Sequence, residues 1–416
     1  QDLYRPFNDK SPVRAPALEE LAQAGTIFPA AQTNSNWTLP SVATLLTGTY
    51  LSRHLWSEEK LRAIPADVPL ISTHLRTRGF ATAAFVSMPI INGACGFKRG
   101  WDHFENRYDK TGVNAPMDLY PDALAWIKKN KGRRFFIYLH PFGPHLPLDE
   151  HKGITEEFHG TDEYKGPVGK RVSEKLSRTP DVMSRFSESD RARVLAMYQG
   201  EAVYNDHYLG RFIKELKQLG LWEKSMIVFT NDHGEEVFDR KGYGHGHGLH
   251  AELIASPLIM RFPPIFKAGF VSHEPISLVD LVPTSLDVLG LSPMKGLHGV
   301  SVMPALRGRP AMEPPYLLAD GGPERAVRMG GYKLMLLPGG VRLYNLATDP
   351  GEKKNLLATH QVTARALEVM LGEGTAIPAK RLRLQGMAKP WSPKPTPARL
   401  DKDVKKRLEA LGYVGD

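Results

Sequence analysis

An aspartate and a histidine stand side by side in Phe229-Thr230-Asn231-Asp232-His233-Gly234-Glu235-Glu236. A carboxylate next to an imidazole offers an oxygen and a nitrogen donor to a divalent cation. Shortly after comes Gly244-His245-Gly246-His247-Gly248, with Lys241 just before it. Glycines let that backbone approach a ligand closely, and the lysine supplies a charge for an oxyanion. A third group, His140-Pro141-Phe142-Gly143-Pro144-His145, carries two histidines on a turn stiffened by prolines. The fourth is Trp37-Thr38-Leu39-Pro40-Ser41, a hydroxyl where a helix begins. Unpaired backbone N–H groups and the positive end of the helix dipole favour a tetrahedral anion at such a place. Each group also has a plainer reading. Thr38 serves equally as a helix cap, and each histidine as a packed or solvated side chain.

Elements must carry these residues to one place. Four apolar runs read as strands: Phe80–Val86, Phe135–His140, Met226–Thr230 and Leu258–Phe262. Between them, helical periodicity covers Ala17–Ala24, Asp118–Lys129, Ser189–Leu219 and Leu278–Leu289. Strands alternating with helices predict an α/β fold, a mainly parallel sheet with helices on both faces. His140 and the Asp232-His233 pair then fall at carboxyl ends of strands, the edge where ligands bind in such sheets. The polar stretch 151–180 reads as a surface excursion or a lid. After about Pro310 the pattern changes to short hairpins, with Gly339-Gly340 as one turn. A helix is expected over Val362–Leu371, then a proline-rich tether from Lys389 to Pro397. A last amphipathic helix, Asp401–Leu411, is expected to be capped by Gly412.

The chain has 416 residues, 42% hydrophobic and 24% charged, enough for a sizeable core. The formal charge of +9 suits an anionic substrate or surface. Many basic residues lie late, among them Lys380, Arg381, Arg383, Lys402, Lys405 and Arg407. These read as a solvated tail, and no basic motif interleaved with aromatics marks a nucleic-acid module. No nucleic-acid partner is expected. Cys95 is the single cysteine, which forbids an internal disulfide. No apolar run approaches the roughly 18 residues of a membrane span, and no signal peptide opens the sequence.

Together the segments resemble the sulfatase family of the alkaline phosphatase superfamily. The resemblance runs in order along nearly the whole chain. It takes in Thr38-Leu39-Pro40-Ser41 ahead of Leu46-Thr47-Gly48 and Arg53-His54, then His140 to His145, then Thr230 to Glu236 with His245-Gly246. It continues through Val279-Asp280-Leu281-Val282-Pro283-Thr284 and Gly296-Leu297-His298-Gly299, and closes with Asp349-Pro350-Gly351-Glu352-Lys353-Lys354-Asn355-Leu356. What the resemblance implies is an α/β/α sandwich over residues 1–310. A smaller antiparallel sheet and a terminal helix would follow over 311–416. It also implies cleavage or transfer of sulfate, phosphate or phosphonate ester groups on an anionic substrate. By position, Thr38 would be the nucleophile and, with Asp232 and His233, a ligand of one divalent ion (Ca, Mg, Mn or Zn). His145 and His245 would be catalytic, contacting the transferring group or protonating the leaving oxygen. Lys241, His247 and His140 would contact substrate.

Three departures from the family pattern shape the expectation. Sulfatases proper carry Cys or Ser at the nucleophile position, converted to formylglycine, with Arg four residues on. Here those positions are Thr38 and Val42, and Cys95 lies elsewhere. No formylglycine is therefore expected, and a threonyl ester must be broken by water or an acceptor alcohol. That pattern resembles the phosphoglycerol and phosphoethanolamine transferase branches. The family also opens with a strand bearing a metal-ligand aspartate, and Gln1-Asp2 resembles the tail of that motif. The strand and its ligand are expected upstream of residue 1, along with a possible membrane attachment and placement outside the cytoplasm. Gly143 stands where the family often has aspartate. A catalytically degenerate scaffold with the same fold is the alternative, and phosphodiester cleavage of nucleic acid a third possibility without independent support.

Overall fold

The computed structural model describes residues 1–51, 62–108, 116–159, 164–168, 186–240, 242–309, 316–384, 396–398 and 400–410. The strand Ala81–Val86 is buried along its whole length, as expected of a strand covered on both faces. It pairs in parallel with His103–Asn106 on one side and Phe135–His140 on the other. Its alternate side chains face two cores. Ala84 and Val86 join the cluster of Leu39, Val42, Leu75, Val282 and Leu286. Ala83 and Phe85 join Leu119, Tyr120 and Ala123, with Tyr208 and Phe212 packed alongside. The period of two thus places helices Thr38–Thr47, Ile71–Arg76 and Leu281–Val288 on one face and Pro116–Asn130 with Glu188–Gln218 on the other.

A second sheet runs in the order Phe270–Val271, Thr26–Ile27, Ile259–Arg261, Ile227–Phe229. Thr26–Ile27 is parallel to Phe270–Val271, and the other two pairings are antiparallel. The fold is the expected three-layer α/β arrangement, but among the described residues its main sheet consists of two separately bonded sheets, one parallel and one mixed. Among the described residues, Phe135–His140 and Ile227–Phe229 each pair on one side only. Phe135, Ile137 and Ile227 pack against the same core of Leu124, Ile127 and Leu216, so both open edges border one apolar cluster. These strands are correspondingly half-buried.

Helix Pro16–Ala24 starts with proline, and the Asp206 carboxylate accepts Ala17 N at 3.0 Å and Leu18 N at 2.8 Å. The last sheet is an antiparallel meander of Tyr316–Asp320, Arg325–Met329, Tyr332–Leu337 and Gly340–Asn345. One face packs Leu318, Val327, Leu334 and Leu343 against Ala364, Leu367 and Leu371 of the helix Gln361–Leu384. The other face packs Ala319, Ala326, Met335 and Tyr344 against Leu249, Leu253 and Ile254 of the large unit. The helix runs past the expected Leu371, through Gly372, Gly374 and Pro378, to Leu384. The final helix spans Lys402–Ala410. Arg53, His54, Gly412, most of 160–180 and most of the proline-rich tether lie outside the described residues. No helix of the described residues is long and apolar enough to cross a membrane.

Candidate active site

The nucleophile candidate stands at the start of helix Thr38–Thr47, wholly buried. Trp37, not Thr38, is the cap residue: its backbone is extended and no side chain caps the helix. The capping role open to Thr38 in the sequence is therefore not the one it takes. Leu39, Val42 and Leu46 anchor the helix in the core, each contributing about 1.5–3 kcal/mol. Val42 is spent on that packing, 0% exposed.

Strand Ile227–Phe229 ends just before the Asp-His pair. Asn231 Nδ2 donates to His233 O at 2.7 Å, and Asn231 Oδ1 accepts from Ser256 Oγ at 2.6 Å, so the turn is pinned. Gly234 is there for closeness: its N–H donates to Leu253 O at 2.7 Å, and a Cβ would sit 1.9 Å from Glu252 O. His233 Nδ1 donates to Gly234 O at 2.8 Å, which leaves the Nε2 lone pair for the site. Thr38 Oγ1 is 3.1 Å from that Nε2, and Asp232 Oδ2 is 3.6 Å from it.

His140 ends its strand opposite Val86 and shares a hydrogen bond of 2.8 Å with Tyr138. His145 Nδ1 donates to Leu146 O at 2.5 Å, and its ring centroid lies 4.7 Å from that of His245. His245 is in turn 4.3 Å from the His233 ring. A Cβ on Gly143 would come within 2.6 Å of Glu201 Oε2 and closer to Asn205. An aspartate there would thus add a second carboxylate against Glu201.

Successive carboxylates orient the glycine-flanked histidines. Glu235 accepts from His245 Nδ1 at 3.0 Å, and Glu236 from His247 Nε2 at 2.9 Å. Glu236 also accepts Gly242 N at 2.7 Å and Arg240 N at 3.0 Å, closing the turn between them. Gly246, at φ 83°, donates its N–H to Asn36 O at 3.0 Å, and Asn36 Nδ2 returns a bond to Gly248 O at 2.7 Å. The histidine loop is thereby fastened two residues ahead of Thr38.

Charge is distributed unevenly over this cluster. Burial lowers His233, His140 and His145, the last to about 3, so these rings are neutral near pH 7. Burial also opposes a charge on His245, but Glu235 outweighs it and raises that imidazole above its ordinary value. Asp232 resists burial in the same way: the histidines around it hold the carboxyl below its usual range. Neutral rings supply lone pairs, while His245 is the ring best prepared to give up a proton.

The structure thus gathers Thr38, Asp232, His233, His145 and His245, with His140 alongside. His247 is half-exposed at the rim, 47%. Lys241 lies outside the described residues. Asp2 is 89% exposed. Two supporting residues were missed by sequence reasoning. Glu235 sits inside the singled-out motif, yet no spacing rule says which histidine it holds. Asn36 carries no sequence signal beyond its nearness to Thr38.

The donors around His233 suit a divalent ion in part. Atoms about 2.0–2.2 Å from a shared ion stand roughly 3–3.5 Å apart, close to the separations of Thr38 Oγ1 and Asp232 Oδ2 from His233 Nε2. Asp232 Oδ2 is buried without a hydrogen-bond partner, which an ion would satisfy. Among the described residues, however, no group of three or more His, Cys, Asp or Glu side chains is placed to hold a metal.

Similarity to known proteins identifies the family. The profile of the family described as Sulfatase matches residues 5–291. Arylsulfatase K of Rattus norvegicus is 24% identical over 409 residues, covering 83% of this chain and 70% of the relative. The multifunctional alkaline phosphatase superfamily protein PehA of Trinickia caryophylli is 25% identical over 374 residues, covering 72% and 73%. Among solved structures, BT4656 in complex with its substrate D-glucosamine-2-N,6-O-disulfate has a TM-score of 0.74 at 18% identity, covering 89% of this chain and 94% of the other. Phosphonate monoester hydrolase SpPMH from Silicibacter pomeroyi has a TM-score of 0.68 at 22% identity, covering 90% and 91%. At these identities the structural likeness speaks for the fold.

Proposed function

Because this chain belongs to the sulfatase family, an enzyme family of sulfuric and phosphoric ester hydrolases, we propose that it cleaves an anionic sulfate, phosphate or phosphonate ester with Thr38 as nucleophile. The observation that carries the proposal is the 3.1 Å approach of Thr38 Oγ1 to His233 Nε2, within a cluster that also holds Asp232, His145 and His245.

Thr38, Asp232 and His233 would hold one divalent cation. Such an ion supplies a lowered hydroxyl pKa, so that Thr38 loses its proton to solvent, and positive charge for the oxygens of the transferring group. Thr38 Oγ attacks sulfur or phosphorus in line. As the bond from Thr38 Oγ to sulfur or phosphorus forms, the bond from that atom to the oxygen of the leaving alcohol breaks. His245, whose imidazole Glu235 makes more basic, gives its proton to that leaving oxygen. Neutral His145 beside it contacts the transferring group, with His140 nearby and His247 toward the rim. Water then attacks the threonyl ester, His245 takes one of its protons, and Thr38 is released with free sulfate, phosphate or phosphonate. An alcohol in place of water would make the same chemistry a transfer.

Threonine acts unmodified in this proposal, since formylglycine arises from cysteine or serine. Cys95 offers no substitute: it is 0% exposed in the main core, where burial pushes its thiol up to about 12. Placement outside the cytoplasm belongs to the proposal through family membership alone.

The deciding assay supplies aryl sulfate, phosphate monoester, phosphodiester and phosphonate substrates with Mn, Mg, Ca and Zn in turn. Metal-dependent turnover that disappears in Thr38→Ala is expected. Undiminished activity of Thr38→Ala overturns the nucleophile assignment. Absence of turnover and of bound metal favours the degenerate scaffold instead.

A further inference from the structure

We propose that Glu352 is a positioning residue of the active site, clasping the base of the histidine loop 240–251 so that His245 stays in register with Thr38. The carboxylate is fully buried, 0% exposed, although it lies in the polar run Asp349 to Lys354. Its Oε1 accepts Lys333 Nζ at 2.6 Å. Its Oε2 accepts His250 Nδ1 at 2.8 Å and Ala251 N at 2.9 Å, and lies 3.3 Å from Arg240 Nη2. Arg240 begins the loop, and His250 and Ala251 end it. Both ends close on one side chain.

The surroundings reinforce the clasp. Arg240 also donates to Gly351 O at 2.9 Å and Glu352 O at 3.3 Å, and pairs with Glu252. Lys333 Nζ reaches Leu249 O at 2.5 Å, from the strand Tyr332–Leu337. The loop is therefore tied at its base to the C-terminal sheet and at its tip to Asn36. Between those ties sits His245. Glu352 itself has a left-handed backbone, φ 50°, where glycine would be less strained. A carboxylate stands at a position whose backbone favours glycine, and strain of this kind persists only where the surroundings over-determine it. Removing the carboxylate leaves buried Lys333 without its ion-pair partner, and Arg240, 27% exposed, with Glu252 alone.

The inference rests on His245 as the proton donor, so its test reads the loop separately from turnover. Hydrogen exchange is measured on Gly246 and Ala251 in the parent, Glu352→Ala and Lys333→Met, with amides of strand Ala81–Val86 as the internal reference. Exchange in the loop is expected to quicken about tenfold or more while the reference stays unchanged. With an active parent, kcat should fall about 10–100-fold with KM within about threefold, and Glu352→Gln, which keeps one acceptor, should recover part of the loss. Unchanged loop exchange overturns the clasp. Faster exchange with unchanged kcat overturns the positioning role. A parent without turnover defeats the proposed reaction, and the exchange data still judge the clasp. If Glu352→Ala does not fold, Lys333→Met, which removes only the Nζ contacts, decides between these outcomes.

Discussion

Thr38 Oγ1 and His233 Nε2 lie 3.1 Å apart across 195 residues of sequence. One belongs to the first turn of a buried helix and the other to the turn after a strand. The helix is locked by its core side chains and the imidazole by its Nδ1–H bond to Gly234 O. The two groups therefore meet as rigid partners, which in-line attack requires.

Replacing Thr38 tests the consequence directly. Thr38→Ala should lower kcat/KM about 1,000-fold or more, as loss of a nucleophile does, with little change in Tm. Thr38→Ser should keep measurable turnover because the hydroxyl remains. Steady-state kinetics check both, and equal losses in the two variants would mean that the hydroxyl is not the reacting group.

Metal affinity should follow Asp232. Calorimetric titration with Mn or Ca is expected to show at least about a tenfold loss of affinity in Asp232→Asn. The increase in Tm that a saturating metal gives the parent should shrink in step. A titration unchanged by the substitution would place the ion elsewhere.

The role of His245 makes itself visible through the leaving group. A poor leaving alcohol needs protonation, whereas a nitrophenolate hardly does. Glu235→Gln and His245→Ala should therefore slow alkyl esters much more, by about 10²-fold or above, than nitrophenyl esters. Equal slowing of both substrates would remove His245 from the acid role and leave it a charge stabiliser.

Acid should act on the Glu352 clasp. Burial alone would raise this carboxyl. The Lys333 ion pair and the His250 hydrogen bond outweigh it and hold it at about 2, against an ordinary 4.5. The folded value is the lower one, so the stabilisation is complete above pH 4.5 and is lost as pH falls toward 2. A depression of this size corresponds to on the order of 3 kcal/mol. Denaturant unfolding of the parent and Glu352→Gln should show a stability gap near pH 6 that narrows steadily toward pH 2.5. A gap independent of pH would assign the stabilisation to shape and not to charge.

The legible part of this protein is local. An apolar β-branched or aromatic run such as Phe135–His140 declares a strand wherever it sits, and its bounds are found as read. Helix Glu188–Gln218 differs from its expected span by a single residue at each end, because its helical periodicity is written in the sequence. The candidate site residues stood out for the same reason: histidines bracketed by glycine or proline are conspicuous against any background.

Partnership between distant residues was not legible. Glu235 and Glu236 are neighbours of the same type, yet one grips His245 and the other His247. Only the pairing of Glu236–Val237 with Tyr243–Gly244 sets that register. Glu352 reads as a surface carboxylate until the C-terminal sheet and the histidine loop close over it. The division of the main sheet into two likewise appears only when the strands are paired. By itself, then, the sequence determined which elements form, which residues can do chemistry and which family they belong to, since periodicity, turn chemistry and residue type are properties of short segments. The tertiary structure decided which of those residues meet, which imidazole a carboxylate makes more basic and which side chains contact the histidine loop. Contact, burial and pKa depend on neighbours that the chain brings together only by folding.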